Sequence, residues 1–306
     1  MKFYIGIDLG GTNVRTLLVD ENGKKYAEVK DATEASKGPD YVFEKICGQI
    51  DTLDLSACGG LSGVEGIGIG VPGPVDTVAK AMVMATNLPG FENYAICHKL
   101  QDKYNIPAFI DNDANVAGLA EAVLGAGKGY PIVYYTTVST GIGGALIVNG
   151  KLVSGGRGHA GEIGNIIVNT NGTKVNHLNA GAVENEASGT FVTKKGQAKL
   201  GADKVRHAGD VFELAAQGNE EAQAIVDEFI DYLSTMFANI AHVVDPYVFV
   251  LGGGVMKAKD HFWDRLVEAF NSKVHVGMQG HIKFTTAEIE DCGAIGAAML
   301  PMSQLG

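Results

Sequence analysis

Apolar and polar positions follow one another in short blocks along this chain, and the blocks predict alternating strands and helices. Residues 3–9 (FYIGIDL) form an apolar run that reaches Asp8 and passes into Gly10, Gly11 and Thr12. Residues 14–20 (VRTLLVD) read as a second strand and 21–24 (ENGK) as a hairpin turn. Apolar spacing over 41–57 suits a helix, and 64–76 gives a strand running into a glycine- and proline-rich turn. Residues 106–111 (IPAFID) read as a buried strand that ends at Asn112 and Asp113, with a helix over the residues that follow.

A second block opens near residue 130. Two strands joined at Ser139–Gly144 are expected there, with Asn149-Gly150 as a later hairpin turn. Residues 169–183 are polar and show no period, whereas 184–195 and 208–244 read as mainly helical. A strand over 245–255 ends in glycines, a helix covers 257–271, and 293–300 is a final apolar helix. Both halves thus open with a hairpin around a glycine-rich turn and continue with strands and helices, a weak internal symmetry of pattern. Two α/β domains with a cleft between them are the natural outcome, and ligands in such folds sit where strand ends and glycine turns converge.

Composition narrows the field. The 306 residues include 46% hydrophobic and 19% charged positions, a balance suited to a globular protein with a sizeable core. Against 24 Lys and Arg stand 35 Asp and Glu, a net charge of −11 without any long basic block, so nucleic acid is not an expected partner. Net acidity does not exclude an anionic substrate, because metal ions, helix N-termini and a few lysines hold phosphate locally. Cys47, Cys58, Cys97 and Cys292 are scattered without a CxxC pair, which fits a reducing, cytoplasmic setting. The opening residues lack a signal-peptide layout, and no apolar run of about 18 residues predicts a membrane span.

Three glycine turns are candidates for holding a nucleotide. In Asp8-Leu9-Gly10-Gly11-Thr12, residues without Cβ let backbone N–H groups approach phosphate oxygens, Asp8 can position Mg²⁺, and Thr12 can donate a hydrogen bond. Ser139 to Gly144 offers a second turn, with Thr140 and the Gly141 amide as phosphate donors. Gly252-Gly253-Gly254 forms the third, leaving room for an adenosine or a phosphate close to the backbone. Ordinary hairpin and strand–helix turns compete with each of these readings. Neither a Walker A motif nor a convincing dinucleotide fingerprint occurs.

Hydroxyl-bearing ligands have their own candidates. Asp113, near a helix N-terminus, would be kept ionised by backbone donors and the helix dipole, and can accept the proton of an attacking hydroxyl. Asn112 supplies a donor and an acceptor for a neighbouring hydroxyl, although plain helix capping by either residue is compatible with the pattern. Glu162 and Asn165, three apart in a glycine-rich run, can present acceptors, Glu184 begins a helix, and Asn87 precedes a turn. Each of these is ambiguous alone, and His159 reads as structural.

Together the segments resemble the ROK family of bacterial sugar kinases and sugar-responsive repressors over nearly the whole chain. The resemblance rests on IGIDLGGTNVR (5–15), GIGIGVPGPVD (66–76), NLPGF (87–91), IDNDANVAGLAEAVLGAGKG (110–129), the long run at 136–165 and VFVLGGGV (248–255), in family order. It implies an α/β, two-domain actin-like or hexokinase-like ATPase fold, with a smaller domain over 1–117, a larger one over 118–290, and the helix at 291–303 packed back on the first. It further implies ATP and Mg²⁺ as cofactors, a sugar as partner, and a homodimer. By the resemblance, Asp113 is the general base and Asn87, Asn112, Glu162, Asn165 and Glu184 contact the sugar. Gly10, Gly11, Thr12, Thr140 and Gly141 then contact phosphate, and Gly253 and Gly254 the nucleotide. Repressor members carry an N-terminal helix-turn-helix; the first strand here starts at residue 3, so the enzyme reading gains. The expected activity is ATP-dependent phosphorylation of a hexose hydroxyl, glucose first. Fructose, N-acetylmannosamine, allose or a β-glucoside are alternative acceptors, and a sugar-sensing protein derived from a kinase is the non-enzyme alternative. ATP or polyphosphate hydrolysis fits less well, since no separate water-activating site is visible.

One departure stands out. Most bacterial members bind structural zinc through a His and three Cys ahead of the sugar-binding Glu. Here Asn165 takes the His position, and Val175, His177 and Ala182 take the thiolate positions. A lone histidine cannot build a tetrahedral zinc site, so no zinc is expected.

Overall fold

A computed structural model describes residues 1–85 and 87–305. The first hairpin forms where apolar runs meet glycine: β1 (Phe3–Leu9) pairs antiparallel with β2 (Asn13–Asp20), and β2 with β3 (Lys25–Ala32). On the other side β1 runs parallel to β4 (Val64–Val71). The short strands β5 (Val75–Asp76) and β6 (Ala81–Met82) form a separate ribbon, and β7 (Ala108–Asn112) completes the sheet order β3-β2-β1-β4-β7. Nearly every residue of β1 and β4 is buried, as expected of strands covered on both faces. Helices α1 (Pro39–Thr52), α2 (Ile96–Tyr104) and α3 (Asp113–Val123) belong to this half.

The second sheet has the order β10-β9-β8-β11-β12. Its strands are β8 (Ile132–Val138), β9 (Ile142–Val148), β10 (Lys151–Leu152), β11 (Val248–Gly252) and β12 (Lys283–Thr286). The intervening helices are α4 (Val183–Ala187), α5 (Gly189–Leu200), α6 (Ala208–Ala216), α7 (Glu220–Val244) and α8 (Trp263–Lys273). Helix α9 (Cys292–Leu305) closes the chain and packs on β1, β4 and α3.

By contacts the chain divides into one unit of 1–131, 145–161 and 288–306 and a second of 132–144 and 162–287. The expected break at 117 lies inside α3, whose buried face packs on α9 of the first unit. Several glycines serve this packing. A Cβ on Gly6 would lie 2.1 Å from the Ala294 carbonyl, one on Gly68 1.7 Å from that of Ala297, and one on Gly296 1.8 Å from that of Val116.

Helix boundaries differ from expectation where capping chemistry intervenes. The helical run over 184–195 breaks at Ser188, whose Oγ accepts the Phe191 N–H. The run over 208–244 breaks at Gly218, after which Asn219 caps α7 through the Ala222 N–H. The expected helix over 41–57 stops at Thr52, and that over 257–271 begins as a 3₁₀ segment, Gly254–His261, before α8.

Candidate functional site

In the first unit, the turn after β1 is built from backbone contacts. The Gly10 N–H donates to the Asn13 carbonyl at 3.0 Å, Thr33 Oγ1 donates to the Gly10 carbonyl at 2.6 Å, and the Thr33 N–H donates to that of Thr12 at 2.8 Å. A Cβ on Gly11 would fall 2.7 Å from the Asn87 carbonyl, so only glycine lets this turn lie against Asn87. Asn87 and Thr12 are exposed. Asp8 sits at the base of the turn with Arg15 Nη2 3.7 Å from its carboxylate, while Arg15 Nη1 donates to Asp291 at 2.8 Å. Burial raises the Asp8 pKa above the ordinary carboxylate value; Arg15 opposes the rise and Asp291 adds to it.

At the end of β7 the chain turns directly into α3. Asn112 caps this helix, its Oδ1 accepting the Asn115 N–H at 2.7 Å, and Asp113 Oδ1 accepts the Ala114 N–H at 2.8 Å. The backbone donors expected to favour the Asp113 anion are therefore present. They are outweighed: solvent reaches the carboxylate, but the protein packed around it raises its pKa, and the Asp8 charge raises it further. Among the described residues no other side chain hydrogen-bonds to Asp113. The structure thus gathers Asp8, Gly10–Thr12, Asn87, Asn112 and Asp113 within one unit.

In the second unit, the turn after β8 is closed by the Ser139 N–H donating to the Gly141 carbonyl, and the Gly189 N–H donates to Ser139 at 2.7 Å. Glu184 Oε2 accepts the Ile142 N–H at 2.8 Å, and a Cβ on Gly141 would lie 2.5 Å from that oxygen. Glu184, expected to contact sugar, is therefore locked against the Thr140–Gly141 turn. Glu162 directly precedes the 3₁₀ turn Ile163–Asn165. Asn165 Oδ1 accepts the Asn179 N–H at 2.7 Å, spanning the polar loop. Gly253 has φ +92°, and a Cβ there would meet the Val138 carbonyl at 2.4 Å.

Beside these turns lies a cavity of about 740 Å³, wholly within the second unit. Thr140 and Gly254 line it, together with residues that sequence reasoning missed: Lys194, Gln197, Arg206, Glu213 and Lys257. A signal for some of them was present, because Thr190, Thr193, Lys194 and Gln197 recur at helical spacing on one face of α5. Also missed in the first unit were Asp111, Asn115 and Ser154, which hydrogen-bond around the Asn112-Asp113 turn. Among the described residues no group of three or more His, Cys, Asp or Glu is arranged to hold a metal. Mg²⁺ needs less: one or two carboxylates with substrate phosphates and water suffice. Asp8 fits that role, being a partly exposed carboxylate whose charge is disfavoured in the free protein. No helix among the described residues is long and apolar enough to cross a membrane.

Comparison with known proteins gives a consistent result. Over 320 aligned residues the chain is 30% identical to a glucokinase of Halalkalibacterium halodurans, covering 99% of this chain and 96% of that one. A crystal structure of a ROK hexokinase from Thermus thermophilus matches with a TM-score of 0.88 at 29% identity, covering 99% of each chain. A ROK family glucokinase from Streptomyces griseus, in complex with glucose and AMPPNP, matches with a TM-score of 0.74 at 27% identity, covering 99% of this chain and 100% of that one. The expected two-domain actin-like ATPase fold stands on these likenesses. The ROK family pattern itself matches residues 4–304, and the chain belongs to the ROK family.

Proposed function

We propose that this protein is an ATP-dependent sugar kinase that phosphorylates a hexose hydroxyl, with Asp113 as general base. The observation that carries the reading is the Asp113 carboxylate. It is fixed by a backbone amide at the start of α3, has no side-chain partner among the described residues, and has a pKa raised by burial. A raised pKa makes the anion a better proton acceptor.

Sugar hydroxyls are bound by Asn87, Asn112, Glu162, Asn165 and Glu184. Asn112, Asn165 and Glu184 share one design: backbone N–H groups hold a single oxygen of each side chain, leaving the other polar atom to face a ligand. The nucleotide base and ribose occupy the cavity beside Gly253 and Gly254, and its phosphates meet Thr140, Gly141 and the Gly10–Thr12 turn. Asp8 would hold Mg²⁺, which when bound neutralises phosphate charge. In the reaction Asp113 takes the proton as the hydroxyl oxygen attacks the γ-phosphorus. The O–P bond to the sugar forms, the bond to ADP breaks, and Asp113 later returns its proton to solvent. A cytoplasmic homodimer goes with this reading; the dimer predicts about twice the 32.1 kDa chain mass by light scattering.

The test is ADP release with Mg-ATP across glucose, fructose, N-acetylmannosamine, allose and β-glucosides. Turnover that depends on one of these sugars is expected, with glucose foremost by kcat/KM. ATP turnover indifferent to every sugar, or none at all, sinks the proposal.

A further inference from the structure

Asp111 is a buried acid that the reaction above does not use. It is 1% exposed, on a strand at the edge of the first sheet. Its Oδ1 accepts the Asn112 N–H at 2.8 Å and the Asn115 side-chain Nδ2 at 2.6 Å, and its Oδ2 accepts the Ser154 hydroxyl at 3.3 Å. Asn115 returns its own N–H to Asn112 Oδ1 at 2.7 Å, so Asp111, Asn112 and Asn115 close a ring around the backbone from which Asp113 projects. Asn115 is itself fully buried, and its Oδ1 has no partner among the described residues. A buried carboxylate and an orphaned amide oxygen each oppose folding. An apolar residue at 111 would remove the buried charge but would leave the Asn112 N–H, Asn115 Nδ2 and the Ser154 hydroxyl without this acceptor, so the acid is kept for the network it holds together.

We infer that Asp111 is a positioning residue: by fixing the Asn112 amide and the Asn115 side chain it sets the backbone that presents the Asp113 carboxylate. Through Ser154 it also ties this turn to the loop 154–161, whose Ala160 N–H donates to the Ser154 carbonyl. The inference rests on the reading of Asp113 as the base. What the position requires is the pattern of acceptors, not the charge. In Asp111→Asn, the amide oxygen accepts the same two hydrogen bonds and the NH₂ group donates to the Ser154 hydroxyl, so all three contacts survive. In Asp111→Ala none does.

The test compares the full-length wild type with Asp111→Ala and Asp111→Asn by two readouts. In native-state hydrogen exchange, the Asn112 and Asn115 amides of Asp111→Ala should lose about tenfold or more in protection, whereas Asp111→Asn keeps it. In sugar phosphorylation, kcat of Asp111→Ala should fall about 10- to 100-fold with KM for ATP little changed, and Asp111→Asn should stay within about threefold of wild type. Wild-type protection in Asp111→Ala overturns the inference, and so does an Asp111→Asn that falls as far as Asp111→Ala. Should Asp111→Ala fail to fold, Asp111→Asn still decides: a kcat loss beyond about tenfold in that variant overturns the positioning role. Exchange needs no turnover, so a wild type without sugar-dependent activity would sink the kinase reading while leaving the positioning claim to be judged on protection alone.

Discussion

The two five-stranded sheets share one strand order, β3-β2-β1-β4-β7 in the first and β10-β9-β8-β11-β12 in the second, and their ends carry different chemistry. In the first sheet, β1 delivers Asp8 and the edge strand β7 delivers Asp111 and Asn112, with Asp113 directly behind. In the second, the matching edge strand β12 ends at Thr286 with Ala287 directly behind, so no acid stands at the matching place, and β11 instead ends in glycines beside a cavity lined by residues that include Lys194, Arg206 and Lys257. One topological frame therefore carries carboxylates at one set of strand ends and, at the other, glycines beside a cavity that includes basic side chains. The pairing of strands does not decide the chemistry; the two or three residues at each strand end do.

Breaking the first half should have the largest effect. Asp113→Asn removes the acceptor while keeping size and shape, and kcat should drop roughly 100- to 10,000-fold with sugar affinity largely spared. Near-normal turnover in that variant would remove Asp113 from the role. The same carboxylate should set the acid limb of kcat/KM in the wild type. Because burial raises its pKa, activity should be lost with falling pH at a midpoint above the ordinary aspartate value of about 3.9. A limb at or below that value would show that the free carboxylate is unperturbed.

Breaking the cavity of the second half should act on nucleotide. Lys194→Ala withdraws one cation from the cavity and should raise KM for ATP by about tenfold, leaving KM for sugar unchanged. If sugar KM rose instead, the cavity would not be the nucleotide site.

Asp113 also makes a stability prediction of opposite sign. A carboxylate with a folded-state pKa above its unfolded value favours folding when protonated, below about pH 3.9, and this contribution is lost as pH rises through the folded-state value. At pH 7 the ionised group therefore opposes folding, and Asp113→Asn should melt higher than wild type. Solvent reaches the group, so the gain should be no more than about 2 °C, and it should shrink as pH is lowered through the raised pKa. A variant that melts lower at pH 7 would contradict the raised pKa.

Much of this was legible in the sequence, for identifiable reasons. Strands β1, β2, β4 and β8 announce themselves as apolar runs punctuated by glycine, and the near-repeat of that punctuation pointed to two α/β domains, though not to their strand order. The turn at Asn112-Asp113 stood out because polar residues end a buried strand. Other features depend on contacts between residues far apart in the chain. Gly6 and Gly68 sit inside runs read as strands and Gly296 inside one read as a helix, and nothing in the pattern shows that they let α9 lie directly on the first sheet and on α3. Asp111 reads as one more acid in a polar cluster until Ser154, 43 residues away, is found bonded to it. The cavity was missed because Arg206 and Lys257 come from separate segments that only folding assembles.

The smallest effect concerns the loop over 166–182, where the family's usual metal ligands are replaced. Backbone contacts join its two arms: the Val168 N–H donates to the Gly181 carbonyl at 2.9 Å and the Val183 N–H to that of Ile166 at 2.8 Å. A Cβ on Gly181 would lie 1.7 Å from the Asn169 carbonyl, so the arms meet backbone to backbone. Asn165 adds the bond from its side chain to the Asn179 N–H. If these contacts do the work that zinc does elsewhere, Asn165→Ala should cost about 1 kcal/mol and raise KM for sugar about two- to threefold, with KM for ATP unchanged. Elemental analysis of the dialysed wild type should then find no stoichiometric zinc. Bound zinc that survives dialysis would show that the loop is held in another way, and that Asn165 had been given a task it does not perform.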